Sequence, residues 1–492
     1  MAQAGVPPVD AGAAAPLNLE VRSIDYVPRS ERHGKTWHLG AVWFVGNAEL
    51  VSFATGPIGI SLGLNFAWTA VAIVLGTLLG TLFMAFHSAQ GPKLGLSQMI
   101  QSRAQFGYLG ALLPIVAVLF VTIGYGVFDT VLGGEVFNAT IRTSTKLSYV
   151  LFIVLALLLG AFGYNLIHRF SRWASLLYIV NFGLFTVLAL VDINLPAGQT
   201  SLGGGSFKSG PFLIVLGVLM SYNLTWAPYV SDYSRYLPAS SSTSSTFTWT
   251  FWGAAIGTIW PATMGALVGA AHPDLSPVAA VKEVADSLFQ GWGALTLILM
   301  APTLIAAATL GVYTASLSAL AAVDVGKRIR SGLNTRMVAV LCVAAVMLGV
   351  TLLIPEDFLS SYNAFLTLAL YFLIPWTAVN LVDFFLVRKG QYAIKEIFNP
   401  NGIYGRWGWR GLVAYLVGLA VMIPFFSTTI FTGPVASAIG GGDLSPFIGF
   451  PVASILYYLF SRNLDVEAES RLAERQIDEL EQEARLDPLA SS

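Results

Sequence analysis

Residues 212–231 read FLIVLGVLMSYNLTWAPYVS. The stretch is long and apolar enough to cross a bilayer, yet Ser221, Tyr222, Asn223, Thr225 and Pro228 lie near its midplane. Proline removes a backbone donor, and polar side chains beside it can rebind the freed backbone groups, so the stretch reads as a membrane helix interrupted at depth. A second interruption, Gly46-Asn47, sits in the stretch near residues 40–60. Apolar runs of spanning length fall near 40–60, 65–88, 109–136, 147–163, 172–191, 212–231, 247–270, 293–322, 336–354, 360–387, 410–431 and 445–461, twelve in all. The interrupted helices are therefore the first and the sixth. Five apart is the placement expected when two five-helix halves are related by an inverted repeat and the breaks form a central site. Glycine and proline also kink membrane helices without binding anything, and on the breaks alone that alternative stands.

Composition supports a membrane protein. Of 492 residues, 55% are apolar and 11% charged, with a mean hydropathy of +0.70; soluble domains carry about 25% charged residues. Charge also sets an orientation. With the N-terminus inside, only Arg142, Lys146, Lys208 and Lys282 of the 26 Lys and Arg fall outside, which supports an even number of spans with both termini cytoplasmic. The first 35 residues lack an apolar core, so no cleavable signal is expected. The lone Cys342 precludes a disulfide within the chain, and a net charge of −1 argues against a nucleic-acid partner. GPKLGLS (91–97) lacks the Lys-Ser/Thr pair of a phosphate-binding loop.

Outside the spans, residues 1–20 read as disordered, and SSSTSSTF (240–247) reads as a flexible linker by composition. LDVEAESRLAERQIDELEQEARLD (464–487) places Leu472, Ile477 and Leu480 at helical spacing among many Glu, which predicts a short solvated amphipathic helix on the cytoplasmic side. The organisation expected is a cytoplasmic tail (1–36), a helical domain (37–461) with core repeats at about 38–192 and 210–388 and peripheral helices at 410–461, and a second cytoplasmic tail (462–492).

Two carboxylates lie at membrane depth, Glu49 in the first span and Asp129 in the third. An ionised carboxylate there costs at least about 2.5 kcal/mol on insertion scales, so such a residue faces a cavity, pairs with a partner or holds a proton. Function is expected at this pair. An integral-membrane enzyme would need a nucleophile with a base or a metal cluster at depth, and no span carries either pattern. A channel would need a continuous polar face, whereas polarity here concentrates at two breaks and one facing helix.

Three further stretches carry a family resemblance. GPKLGLSQMIQSRAQFGYLGA (91–111), TWAPYVSDYSRYLP (225–238) and VDFFLVRKGQYAIKEIFNPNGIYGRWGWRG (382–411) resemble the nucleobase:cation symporter family, in its purine/cytosine permease branch, and the resemblance runs from about residue 20 to about 465. It implies an all-α integral membrane fold of twelve transmembrane helices, a leucine-transporter-like five-plus-five inverted repeat with two extra C-terminal helices. It also implies a multi-pass plasma-membrane importer, monomeric or weakly self-associating, that takes up a nucleobase or related nitrogen heterocycle by symport. Ureides such as allantoin or hydantoin, B-vitamin heterocycles, small cationic nitrogen compounds and sodium coupling are the alternatives.

In this family the third helix carries an aromatic that stacks on the ligand and, four residues later, an amide that hydrogen-bonds it; Tyr125 and Asp129 in GYGVFDTVLGG (124–134) fall at those positions, on one helix face. GNAELVS (46–52) resembles the first-helix segment that approaches the ligand, which makes Asn47 and Glu49 candidates, and the sixth-helix break supplies Tyr222, Asn223 and Trp226. Aromatic faces with donors and acceptors around the rim suit a planar polar-edged base. Asp232 is expected to pair with Arg235 or cap backbone, Asp383 to be structural, Arg103 to serve the positive-inside bias, and His38, His87 and His168 to sit at membrane edges.

The sequence departs from the family pattern in two places. Asp129 and Glu49 replace amides, which points to proton coupling or a ligand of cationic character. In APTLIAAATLGVYTAS (301–316), Ile305 and Ala306 stand where sodium-using relatives offer hydroxyls, and Gly311 stands at the ligand-binding Asn position; a shifted register brings in Thr303 or Thr309. The expected coupling ion is a proton rather than sodium, with Asp129 the leading acceptor and Glu49 the second, and no organic cofactor or metal is expected.

Overall fold

The computed structural model describes residues 25–161, 164–326, 333–354 and 357–486. The expectation for residues 1–20 lies outside them, as do Arg22, Lys327, Arg328 and Arg330, four of the cations that the charge argument assigns to the cytoplasmic side. The principal helices are α1 (Trp37–Asn47), α2 (Leu50–Thr55), α3 (Phe66–Ser88), α4 (Leu112–Ile141), α5 (Thr145–Ala161), α6 (Tyr164–Asp192), α7 (Ser209–Leu224), α8 (Ala227–Ser234), α9 (Thr243–Ala271), α10 (Pro277–Leu288), α11 (Trp292–Gly326), α12 (Leu333–Leu353), α13 (Phe358–Val382), α14 (Trp409–Met422), α15 (Ser445–Ser461) and α16 (Val466–Leu486). Among the described residues there are no strands, only a single bridge between Ser427 and Thr432.

Among the described residues, seven helical stretches are long and apolar enough to cross a membrane, including Phe66–Leu94, Leu112–Ile141 and Ser209–Ser234. Shorter apolar helices at Leu50–Ser61, Thr145–Leu159, Met337–Leu353, Trp409–Phe425 and Ser445–Ser461 fall on the remaining apolar runs of the sequence. The protein is an all-α, multi-pass membrane protein. Its outer surface is lined with aliphatic side chains such as Val187, Leu190 and Leu341, as lipid contact requires.

Three pairings organise the interior: α1 packs on α9, α3 on α7, and α4 on α11. In span numbers these are first with seventh, second with sixth, and third with eighth. A shift of five exchanges the first two pairings and leaves the third unchanged. Close approach depends on small residues, as is usual between membrane helices. Where α2 meets α9, a Cβ on Gly265 would lie 1.9 Å from the Phe53 carbonyl oxygen, and one on Gly56 would lie 2.0 Å from that of Ala262.

The two breaks differ. The first span unwinds: Ala48 (φ −80°, ψ 79°) and Glu49 (φ −148°, ψ 172°) leave helical geometry between α1 and α2. Thr225 and Trp226 keep near-helical angles, so α7 and α8 are joined by a tight turn, with Pro228 in the first turn of α8. Local side chains meet the carbonyls at both breaks: Asn47 Nδ2 donates to Trp43 O at 2.8 Å, Ser52 Oγ to Asn47 O, and Thr225 Oγ1 to Tyr222 O at 2.7 Å.

Three expectations need correction. Within SSSTSSTF, Ser242 caps α9 by accepting from Ser245 N, and Thr246 is fully buried; the cluster is a helix start, and a Ser/Thr run serves either purpose. His87, in the last turn of α3, is fully buried rather than an exposed interfacial side chain, with Nδ1 on Phe83 O at 2.8 Å and its ring stacked on Trp376. Finally, α16 is docked rather than merely solvated. Glu469 meets Arg388 at 2.8 Å, Glu481 accepts from Tyr26 OH at 2.8 Å, and Ile477 and Leu480 pack on a cluster containing Leu94, Ile100 and Ile394.

Candidate substrate cavity

A cavity of about 260 Å³ opens between the two breaks and the third and eighth spans. Its inner end is lined by Glu49, Thr122, Tyr125, Asp129, Trp226 and Gly311, and it continues past Tyr229 to Asp232, Arg235 and Tyr236. The unwound Ala48-Glu49 segment turns the Glu49 side chain off the helix and into this space. Four-residue spacing on α4 delivers Tyr125 and Asp129 to the same wall.

Five of the eight sequence-predicted residues therefore come together: Glu49, Tyr125, Asp129, Trp226 and Gly311. Asn47, Tyr222 and Asn223, all nearly or fully buried, stand one layer behind. Asn47 Oδ1 accepts from Trp226 Nε1 at 3.1 Å and from Thr258 Oγ1 at 3.3 Å, while Thr258 Oγ1 also reaches Asn223 Oδ1 at 3.1 Å. Tyr222 OH contacts Ser52 Oγ at 2.6 Å and donates to Glu49 Oε1 at 3.3 Å. These groups orient the indole and one carboxylate.

Asp129 is only 3% exposed, and among the described residues no donor reaches its carboxylate. Glu49 is the other carboxyl group in the cavity lining near it. On the α11 side of the cavity, Gly311 leaves open space: a Cβ there would find nothing closer than Thr122 O at 3.8 Å. Thr303 Oγ1 donates to Met300 O at 2.7 Å, and Thr309 Oγ1 to Ile305 O at 2.7 Å and Ala156 O at 3.1 Å.

Away from the cavity's inner end, Asp232 Oδ1 accepts from Gln98 N at 2.9 Å and so caps the short helix at Gln98–Gln101. The Arg103 guanidinium lies 4.4 Å over the Tyr108 ring. Asp383 is buried with Arg388 and accepts from Tyr392, Tyr457 and Gln105, an internal network remote from the cavity lining. Sequence reasoning missed Thr258 and Ser52. Ser52 lies inside the quoted first-helix motif, whereas Thr258 is one hydroxyl in an apolar helix and carries no pattern of its own.

A cavity at the crossing of broken helices in an all-α membrane fold defines a membrane transporter. The family described as permease for cytosine/purines, uracil, thiamine and allantoin matches residues 26–449, and the chain belongs to that family. A putative purine-cytosine permease of Bacillus subtilis is 35% identical over 446 residues, spanning 91% of this chain and 96% of that protein. A hydantoin permease of Microbacterium maritypicum is 23% identical over 434 residues, covering 83% and 85% of the two chains. The structure of Mhp1, a nucleobase-cation-symport-1 family transporter with bromovinylhydantoin bound in a closed conformation, is similar in fold, with a TM-score of 0.72 at 21% identity over 92% of this chain and 98% of that one. The protein is a permease and not an enzyme.

Proposed function

We propose that this protein imports a nucleobase, a purine or cytosine, or a related nitrogen heterocycle by proton symport with alternating access. The observation that carries the reading is the meeting of Asp129 and Glu49 in one cavity with the rings of Tyr125 and Trp226. A planar ligand stacks on the rings, and the carboxylates take its polar edge together with the coupling proton. Asp129, which no donor reaches among the described residues, is the leading proton acceptor and Glu49 the second.

The reading places the chain in the plasma membrane as twelve spans with both termini cytoplasmic, ten of them in two five-helix repeats. The exchange of pairings under a shift of five supports the repeats. Charge asymmetry puts Asp232 and Arg235 at the cytoplasmic end, so the cavity is a route from the central site toward the cell interior. The experiment is uptake of radiolabelled cytosine, adenine, guanine and hypoxanthine, with ureides and vitamins alongside, by expressing cells. Accumulation of a nucleobase supports the reading; accumulation of none of the panel overturns it.

A further inference from the structure

At the inner end of the cavity the donors of Trp226, Thr225, Thr122 and Tyr125 are already committed, and a hydroxyl of the lining without a partner among the described residues, that of Tyr229, lies further along the cavity. Trp226 Nε1 donates to Asn47, Thr225 Oγ1 to Tyr222 O, and Thr122 Oγ1 to Val118 O at 2.9 Å. With the Thr225 proton spent on that carbonyl, Tyr125 OH donates to Thr225 Oγ1 at 2.9 Å. Gly311 offers no side chain. The capacity left over is acceptor capacity: the Asp129 carboxylate, 3% exposed and reached by no described donor, and Glu49, which receives only the 3.3 Å bond from Tyr222 among the described residues.

We infer that the ligand is selected by donors of its own, through an edge on which an exocyclic amine flanks a ring nitrogen, set two-pronged against Asp129. The inference rests on the heterocycle-symport reading and narrows it to amino-bearing heterocycles. A carboxyl and one proton fit such an edge whichever group holds the proton. As carboxylate, Asp129 accepts from the amine and from a protonated ring nitrogen; as carboxylic acid, it accepts from the amine and donates to the bare nitrogen. The two arrangements have the same atoms and net charge, so the coupling proton is shared within the contact itself. An oxo analogue offers a carbonyl beside an N–H. It can meet both carboxyl oxygens only when the acid is neutral, and it forgoes the charge-assisted pair, which is roughly twice as strong as a neutral hydrogen bond.

Two nearly isosteric pairs test this: cytosine against uracil, and adenine against hypoxanthine, titrated calorimetrically into the detergent-purified full chain. The amino member of each pair should bind at least about tenfold tighter, and Asp129→Asn, whose amide matches an oxo edge, should shrink that ratio to about threefold or less. Oxo members that bind as well as amino members to the unmodified protein overturn the inference and leave heterocycle transport intact, as does a ratio that survives Asp129→Asn. The unmodified comparison stands even if the variant fails to fold. If none of the four binds, the amino-edge inference falls; if the uptake panel also shows no heterocycle accumulated, the transport reading falls with it.

Discussion

The indole N–H of Trp226 donates to the side-chain oxygen of Asn47 at 3.1 Å, joining the turn between α7 and α8 to the last residue of α1. With the bonds of Tyr222 OH to Ser52 and Glu49, it ties the two helix interruptions together, and it fixes the plane of a cavity-lining ring. Asn47→Ala removes the acceptor, and a net hydrogen bond of about 1 kcal/mol sets the expected loss at roughly fivefold in ligand affinity. Binding titration against the unmodified protein checks this; unchanged affinity would mean that the indole is held by packing alone.

Stacking gives a larger effect than positioning. Trp226→Ala or Tyr125→Ala should weaken binding by about 1 to 3 kcal/mol, the range for base–aromatic contacts in nucleic-acid binders. Calorimetry on each single variant measures it. If both variants bind as tightly as the parent, the rings only pack, Tyr125 against Phe365 (5.3 Å between centroids) and Trp226 against Trp43 (5.6 Å).

Much of this was legible because membrane depth restricts chemistry. Hydropathy located the spans, and Gly46-Asn47 and Pro228 located the interruptions, since backbone irregularity in a bilayer needs local polar partners. Depth around the cavity was not legible. Helical spacing says that Tyr222 and Asn223 share a region with Trp226, but not that they lie behind it, hydrogen-bonded to Glu49 and Thr258. The docking of α16 was equally hidden, because Arg388 and Glu469 are far apart in sequence and each reads alone as a solvated charge.

Packing between α2 and α9 makes a stability test. Gly265→Ala would place a methyl 1.9 Å from the Phe53 carbonyl oxygen, and overpacking of this kind costs typically 1 to 3 kcal/mol, so the melting temperature should fall. Gly349→Ala on α12 is the control: nothing lies within 4 Å of its Cβ, and alanine favours the helix by up to about 1 kcal/mol, so its melting temperature should hold or rise. Equal melting temperatures for the two variants would contradict this account of the helix contact.

The buried ion pairs of Arg388 supply a fourth test. Its guanidinium lies between Asp383 and Glu469, both less than a tenth exposed, so Arg388→Met strands two acids and should destabilise the fold by about 3 to 5 kcal/mol. Glu469→Gln keeps an acceptor for Tyr404 OH, now at 2.6 Å, and should cost less. Hydrogen exchange would localise the damage: Arg388→Met should raise exchange in α16 and around Tyr26, which Glu481 ties to that helix. A global melt identical to the parent would contradict the structural role.

The coupling ion is the central question, and proteoliposomes address it directly. Reconstituted protein is given an inward proton gradient in sodium-free buffer, and accumulation of labelled substrate is followed for the parent and for Asp129→Asn. The parent should concentrate substrate, lose that ability when a protonophore collapses the gradient, and be indifferent to sodium. Asp129→Asn should exchange bound substrate without concentrating it. Accumulation that strictly requires sodium, or that persists undiminished in Asp129→Asn, would contradict the assignment of Asp129 as the proton acceptor.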